Sequence, residues 1–316
     1  MSEKSIPLVS IIIPCYNVED HIEAALRCAH GQSYPNKEII CIDNDSSDET
    51  WEKLNELKDR YPELIISQEF RQGAPAARNR GLAMSKGAWI QFLDADDILM
   101  PDKISQQMDQ VTEHPEACLV IGDYTKVDLD TKDEMEIKSH AHTWKGLVQN
   151  GLGITSANLF RKDMVTQVEG FDENLKSSQE YDLMFRMLKE NEHVAFCRTS
   201  ATRIQTRATS ISKMDLEGNK HRFLALNGRI CVYLKKEKPK EYALLDKPYF
   251  EEMYQRIRLN SIKGYADSLA FYKAILPQGF KPQERPYDAW WFKGVEHLAG
   301  FPAALKLEAF KHSIKN

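Results

Sequence analysis

Over its first 120 residues the chain alternates between two kinds of segment. Short apolar runs rich in β-branched residues read as buried strands: Leu8–Pro14 (LVSIIIP), Glu38–Asp43 (EIICID), Leu64–Gln68, Ala88–Leu93 (AWIQFL) and Ala117–Gly122. Between them lie stretches with helical spacing. Val18–Gln32 places Ile22, Ala25, Leu26 and Ala29 on one face. Ser46 or Ser47 can cap a second helix, with Trp51, Leu54 and Leu57 turned inward. Pro75, suited to a first helical turn, opens a third helix that stops near Gly87, and Pro101 starts a fourth.

Such alternation predicts an α/β fold with a largely parallel sheet covered on both faces. Ligands of these sheets bind outside the carboxyl ends of the strands. Three places qualify: Pro14–Asn17, Asp43–Asp45 and Asp94–Asp97. One cleft can collect all three. Further along, residues 124–142 are polar and hairpin-like, Ile154–Phe160 reads as a strand, and Ser178–Asn191 carries Leu183, Met184, Met187 and Leu188 at helical spacing. Val194–Cys197 and Thr202–Thr206 read as short strands. The pattern then turns helical, over Arg222–Lys236, Lys247–Ile262 and Pro302–Ile314, the last with Leu307, Phe310 and Ile314 inward.

The chemistry concentrates at Phe92-Leu93-Asp94-Ala95-Asp96-Asp97. Three carboxylates within four positions repel one another and raise each other's pKa unless a cation neutralises them. Hard divalent ions such as magnesium or manganese take oxygen ligands and keep substrate phosphates in their shell. The other reading has Asp97 and its neighbours capping the helix near Pro101. Asp43-Asn44-Asp45 likewise offers either base and ribose contacts or an Asx turn. Tyr16, with Asn17, offers a ring for stacking or for packing. Arg78 and Arg80, near a helix start, suit a diphosphate or a solvated face. Neither GxGxxG nor GxxxxGK[ST] appears, which argues against a dinucleotide-dependent dehydrogenase and a P-loop ATPase.

Composition narrows the class further. Forty-two basic side chains against 47 acidic ones give a formal charge of -5, so there is no blanket affinity for nucleic acid. No apolar run approaches the roughly 20 residues of a membrane span. Met1–Pro7 has no secretory h-region, so a cytoplasmic location is expected. The six cysteines are scattered without a CxxC pair, which favours buried thiols over disulfides or zinc. His140 and His142 form an H-x-H with no further ligand near in sequence, a loop feature rather than a metal site.

Four blocks together resemble the family 2 nucleotide-sugar glycosyltransferases of the GT-A fold: VSIIIPCYN (9–17), EIICIDNDSSDET (38–50), GAPAARNRGLAMSKGAWIQFLDADDILMPDKI (73–104) and GFDENLKSSQEYDLMFR (170–186). The resemblance covers roughly residues 7–212. It implies a Rossmann-like GT-A domain over 1–212, with a nucleotide-binding half to about 123, an acceptor-side half over 124–212, and a helical extension over 213–316. Carried over by position, it puts Pro14, Tyr16, Asn17, Asp43, Asn44, Arg78, Asp94 and Ala95 around the nucleotide sugar. Asp96, with Asp94, becomes the ligand of Mn2+ or Mg2+. Asn44 stands where a second Asp is frequent, and Asp45 where glycine is usual.

In the fourth block Gln179-Glu180-Tyr181-Asp182 puts Glu180 at the general base's position, with Asp182 beside it as a further catalytic residue. Direct displacement at an anomeric carbon needs the acceptor hydroxyl deprotonated as it attacks, and a positioned carboxylate does this. Relatives often carry R-x-H next; here Arg203-Ile204-Gln205 places Gln205 at the His position, followed by Thr209–Ser212.

The expected enzyme is a metal-dependent, inverting hexosyltransferase. It moves a sugar from a nucleotide-diphosphate sugar, a UDP-sugar first, to a carbohydrate or lipid-linked glycan of the cell envelope. Its rivals are a catalytically silent nucleotide-sugar-binding module and a polyprenyl-phosphate sugar synthase. Residues 232–316 carry 15 basic against 10 acidic side chains, including Lys235, Lys236, Lys238 and the Trp290–Lys293 aromatic cluster. These helices suit packing on the catalytic domain, a homodimer contact, or peripheral contact with an anionic membrane at its inner face.

Overall fold

The computed structural model describes residues 6–206, 215–260, 265–283, 295–296 and 299–313. The segments 209–212 and 290–293, and Ile314, lie outside the described residues. The chain divides into two compact units, Met1–Lys213 and Met214–Asn316.

The first unit is built on β1 (Val9–Cys15), β2 (Lys37–Asp43), β3 (Ile65–Gln68), β4 (Trp89–Phe92), β6 (Leu119–Gly122), β9 (Leu159–Arg161) and β10 (Val194–Cys197). They form a seven-stranded sheet in the order β10-β6-β9-β4-β1-β2-β3. Neighbours are parallel except that β9 runs antiparallel to both β4 and β6. β1 lies centrally because both its faces are apolar: Val9, Ile11, Ile12 and Ile13 are all fully buried. Register aligns Cys15 with Asp43 and Asp43 with Gln68, so β1, β2 and β3 finish side by side.

A second sheet, in the order β5-β11-β7-β8, is made of β5 (Ile98–Leu99), β7 (Tyr124–Asp128), β8 (Glu134–Ile137) and β11 (Thr202–Thr206). β7 and β8 make the hairpin expected within 124–142. β11 reaches β5 directly after the acidic cluster, pairing Arg203 with Ile98. A two-residue strand such as β5 leaves no hydrophobic period to read.

The unit's helices are α1 (Ile22–His30), α2 (Thr50–Arg60), α3 (Ala74–Met84), α4 (Lys103–Glu113), α5 (Thr143–Val148), α6 (Lys162–Gln167) and α7 (Gln179–Glu190). Ile22, Ala25, Leu26 and Ala29 face the core, as do Leu54 and Leu57, with Trp51 half-buried against it. Three expectations change. Neither Ser46 nor Ser47 caps α2: the Thr50 amide donates to Asp48 Oδ1 (3.0 Å), while both serines bond to Asn17 instead. Residues 154–158 turn rather than extend, because Asn158 Nδ2 donates back to the Leu152 carbonyl (2.8 Å), and only Leu159–Arg161 pairs as strand. Asp97 caps nothing: α4 begins after Asp102, and the Asp97 carboxylate is buried.

The second unit holds α8 (Leu216–Glu237), α9 (Pro239–Ala243), α10 (Lys247–Asn260), α11 (Tyr265–Ile275) and α12 (Phe301–Ser313). Asp215 caps α8 by accepting from the Gly218 amide (3.0 Å). α8, α10 and α11 pack on one another, and α12 packs on α11. In α12 the buried residues are Phe301, Ala304 and Leu305, whereas Leu307 is half-buried and Phe310 is 59% exposed. The inward face is therefore rotated from the expected one. No helix among the described residues is long and apolar enough to cross a membrane.

α3 must lie close on β1 to deliver its polar residues to the strand ends, and Gly81 permits it. A Cβ there would stand 2.4 Å from Ile12 Cγ2. We predict that Gly81→Ala lowers the unfolding free energy by about 1–3 kcal/mol in urea titration. An unchanged midpoint would show that the helix can back away freely.

Candidate active site

The ends of β1, β2 and β4 bring together the three places that the strand rhythm singled out, but their side chains have different tasks. Pro14 is half-buried within β1, and Tyr16 follows it, 43% exposed. Asn17 sits at φ 50° with its side chain engaged: its Oδ1 accepts from the Ser47 amide (2.8 Å), and its own amide donates to Ser46 Oγ (3.1 Å). This pair fastens the turn after β1 to the turn after β2.

Asp43 is buried. Its Oδ2 accepts from Gln68 Nε2 on β3 (3.1 Å), and Oδ1 has no protein partner. An orphaned buried acceptor asks for a donor, since leaving it unmade costs about 1–3 kcal/mol. Asn44 differs. Its Nδ2 donates to the carbonyls of Glu69 and Arg71 (both 2.8 Å), and its Oδ1 accepts from the Gly73 amide (2.7 Å). That amide is fully engaged by backbone, so Asn44 shapes the entry to α3.

The acidic cluster follows β4. Asp94 is paired with Arg78 (2.6 Å), Ala95 is buried, and Asp96 is exposed. Asp97 is buried and accepts from Ser156 Oγ (2.7 Å) and from the Gln205 main chain (3.3 Å). Burial, then the charges of Asp94 and Asp96, hold its carboxyl well above the usual aspartate range, against the pull of Ser156. Gln205, at the expected His position, thus meets the cluster through its backbone.

Beneath the cluster, Lys103 is only 2% exposed and donates to Gln91 Oε1, while Gln91 Nε2 donates to the Ser156 carbonyl (2.9 Å). Burial pushes the Lys103 ammonium well below the normal lysine range.

Arg78 is the joint of the site. It is buried, lies 5.2 Å from the Phe171 ring centre, and donates both to Asp94 and to Gln179 Oε1 (3.2 Å) at the start of α7. Beside it Asn79 grips the Phe171 backbone in both directions, donating to the carbonyl and accepting from the amide (each 2.9 Å). Arg71 pairs with Glu173 (2.7 Å). α3 therefore clasps the approach to α7, and with it Glu180, to the strand ends.

Glu180 is half-buried. Its carboxyl is raised by burial above the usual glutamate range and raised further by Asp94, while its own backbone amide and Arg78 oppose the shift. Tyr124 on β7 feels the same charge: burial, then Glu180, push its phenol up. A half-buried carboxyl of raised pKa is suited to proton transfer near neutral pH.

Asp182 is placed elsewhere. It is 2% exposed and bonded to Arg186 (2.8 Å), whose guanidinium also donates to the carbonyls of Gly170 (2.7 Å) and Val168. It holds the 168–170 turn rather than joining Arg78 and Asp94.

The residues that the sequence reading missed are Gln179, Ser156 and Tyr124. Gln179 was visible inside the fourth block. Ser156 and Tyr124 had no local signal, since each meets its partners across more than 50 positions.

The donor set can be tested against a divalent ion. Among the described residues no three His, Cys, Asp or Glu side chains form a ready cage. Asp96 and half-exposed Asp94 offer carboxylate oxygens at the strand end, the one-or-two-carboxylate pattern by which Mg2+-type ions bind together with substrate phosphates. The residues present fit such an ion. His140 and His142 bond to each other, the His142 amide donating to His140 Nδ1 (3.1 Å).

Residues 10–173 match the family described as Glycosyl transferase family 2. The UDP-Glc:alpha-D-GlcNAc-diphosphoundecaprenol beta-1,3-glucosyltransferase WfgD of Escherichia coli is 30% identical over 207 residues, 65% of this chain and 79% of the relative. Residues 1–349 of S. aureus TarS in complex with UDP-GlcNAc superpose with a TM-score of 0.58 at 15% identity, covering 84% of this chain and 89% of that one. The mannosyltransferase PcManGT of Pyrobaculum calidifontis, in complex with GDP-Man and Mn2+, gives a TM-score of 0.55 at 14% identity, covering 99% and 89%.

The geometry separates a positional role from a chemical one in the fourth block. Asp182→Ala is expected to lower stability by about 2–3 kcal/mol in denaturant titration, because it strands Arg186. Glu180→Ala should leave stability within about 1 kcal/mol of the parent, the range typical of a site that is not a packing joint. The opposite order would reverse the two assignments.

Proposed function

The chain belongs to glycosyl transferase family 2 and is a glycosyltransferase; on that footing we propose that it carries out metal-dependent, inverting transfer from a UDP-sugar to a glycan or lipid-linked glycan acceptor. The observation that carries this reading is the bridge made by Arg78. It ties the donor-side carboxylate Asp94 to Gln179, the neighbour of Glu180. The lipid-linked acceptor is supported by the named activity of the Escherichia coli relative, and the uracil nucleotide by that relative and by TarS.

The nucleotide lies over the first half, residues 1–123. Pro14 and Tyr16 face the base, and the orphaned Oδ1 of Asp43 accepts its N–H. Asn17 and Asn44 keep those loops in place. Asp96 and Asp94 would hold Mn2+ or Mg2+, which when bound would supply positive charge to the departing diphosphate. The Mn2+ in PcManGT supports the choice of ion.

The acceptor lies over residues 124–212. Glu180 takes the hydroxyl proton as that oxygen forms its bond to the anomeric carbon. The bond to the diphosphate oxygen breaks on the opposite face, which inverts the configuration. Arg78, already fixed by Phe171 and Gln179, adds a second positive charge beside the leaving group without having to reorganise.

Two outcomes are expected. Glu180→Gln should lower kcat by about 10²–10⁴-fold while UDP binding by calorimetry stays unchanged. Because Glu180 works ionised and its pKa is raised, activity should be lost as pH falls through a value above the ordinary glutamate value of about 4.3. Full turnover by Glu180→Gln would remove it as the base. Asp96→Ala should bring UDP affinity in Mn2+ down to that of the parent protein in EDTA. Retention of the Mn2+ effect would move the ion elsewhere.

A further inference from the structure

The acidic cluster sits on a turn whose shape is enforced from outside by a residue far away in sequence. Ser156 is fully buried and uses its hydroxyl twice: it donates to Asp97 Oδ2 (2.7 Å) and accepts from the Asp94 amide (3.1 Å). The turn closes on itself through the Asp97 amide, which donates to the Asp94 carbonyl (2.9 Å). The other Asp97 oxygen accepts from the Gln205 amide of β11 (3.3 Å). Ser156 is in turn held from below, its carbonyl accepting from Gln91 (2.9 Å), which the buried Lys103 engages. One hydroxyl thus fixes both ends of the segment that presents Asp94 and Asp96.

We propose that Ser156 is a positioning residue for donor binding. With Asp97 and the Gln205 amide it pins the 94–97 turn so that Asp94 and Asp96 face the diphosphate together, and Asp97 serves the turn rather than the ion. This rests on the reading that Asp94 and Asp96 hold the cation. The physical argument is preorganisation. Two neighbouring carboxylates repel, and a loose turn would let them splay. A turn tied at both ends to a buried hydroxyl has already met the ordering cost before ligand arrives. No local signal announces the role, because Ser156 lies 59 positions from Asp97.

The test uses Ser156→Ala in the full chain, with UDP and Mn2+ as probes. Amide hydrogen exchange of residues 94–97 in the unliganded protein should quicken by about tenfold, the equivalent of one lost hydrogen bond, while β4 and α4 exchange as before. The gain in UDP affinity on adding Mn2+ should shrink by a similar factor, with metal-free UDP affinity within about twofold of the parent. Asp97→Ala, which removes both of the bonds the carboxylate now receives, should show the same two effects. It stands in should Ser156→Ala fail to fold.

Unaltered exchange at 94–97 in either folded variant overturns the proposal. So does an equal loss of metal-free UDP affinity, which would mean general damage to the fold. If the parent protein gains nothing from Mn2+, the cation reading fails and the donor-binding role falls with it; the exchange data still report separately on the clamp.

Discussion

Three carboxylates at one strand end repel one another, and the site is organised around relieving that repulsion in three different ways. Asp94 is paired with Arg78, a guanidinium buried against Phe171. Asp97 is taken out of solvent, its carboxyl pushed up by burial and its oxygens bonded to Ser156 and Gln205. Asp96 remains exposed. Each solution recruits a different part of the chain: α3 through Arg78, the 152–158 turn through Ser156, and β11 through Gln205. Charge repulsion at one point thereby draws both sheets of the first unit onto the same turn.

The same arginine explains how a donor side and an acceptor side can act together. Its second bond, to Gln179, anchors the first residue of α7, and Glu180 follows directly. Asn79 and Arg71 reinforce the connection through Phe171 and Glu173. In the reaction proposed for this glycosyltransferase, Arg78 stays where Phe171 and Gln179 hold it, and its charge acts both beside the leaving diphosphate and on Glu180, whose pKa rise it opposes. The donor side and the base thus share one side chain.

Much of this was legible in sequence where the signal is local. The runs that became β1, β2, β4, β6 and β10 are short, apolar and bounded, and a buried strand leaves that trace. Asp43 and the Asp94–Asp97 segment were visible for the same reason, as polar residues at the ends of such runs, and Arg78 as a cation near a helix start. What misled were positions decided by contacts at long range. Ser46 and Ser47 resemble helix caps, yet Asn17 binds both across 29 and 30 positions, and the first helical amide, Thr50, donates to Asp48 instead. Ile154–Phe160 resembles a strand, yet Ser156 turns inward to serve the cluster and Asn158 bonds back to Leu152. Asp182 resembles a second catalytic carboxylate beside Glu180. Successive residues on a helix diverge by about 100°, and Asp182, two positions on, meets Arg186 instead.

The central claim is that Asp94 and Asp96 converge on a cation that also contacts the donor's diphosphate. Anomalous scattering from a crystal grown with UDP and Mn2+ tests it most directly. The account predicts one strong manganese peak within coordination distance, about 2.0–2.3 Å, of a carboxylate oxygen of Asp96 or Asp94 and of the diphosphate. A peak on the diphosphate with both carboxylates turned from it, or a manganese bound at other residues, would contradict it.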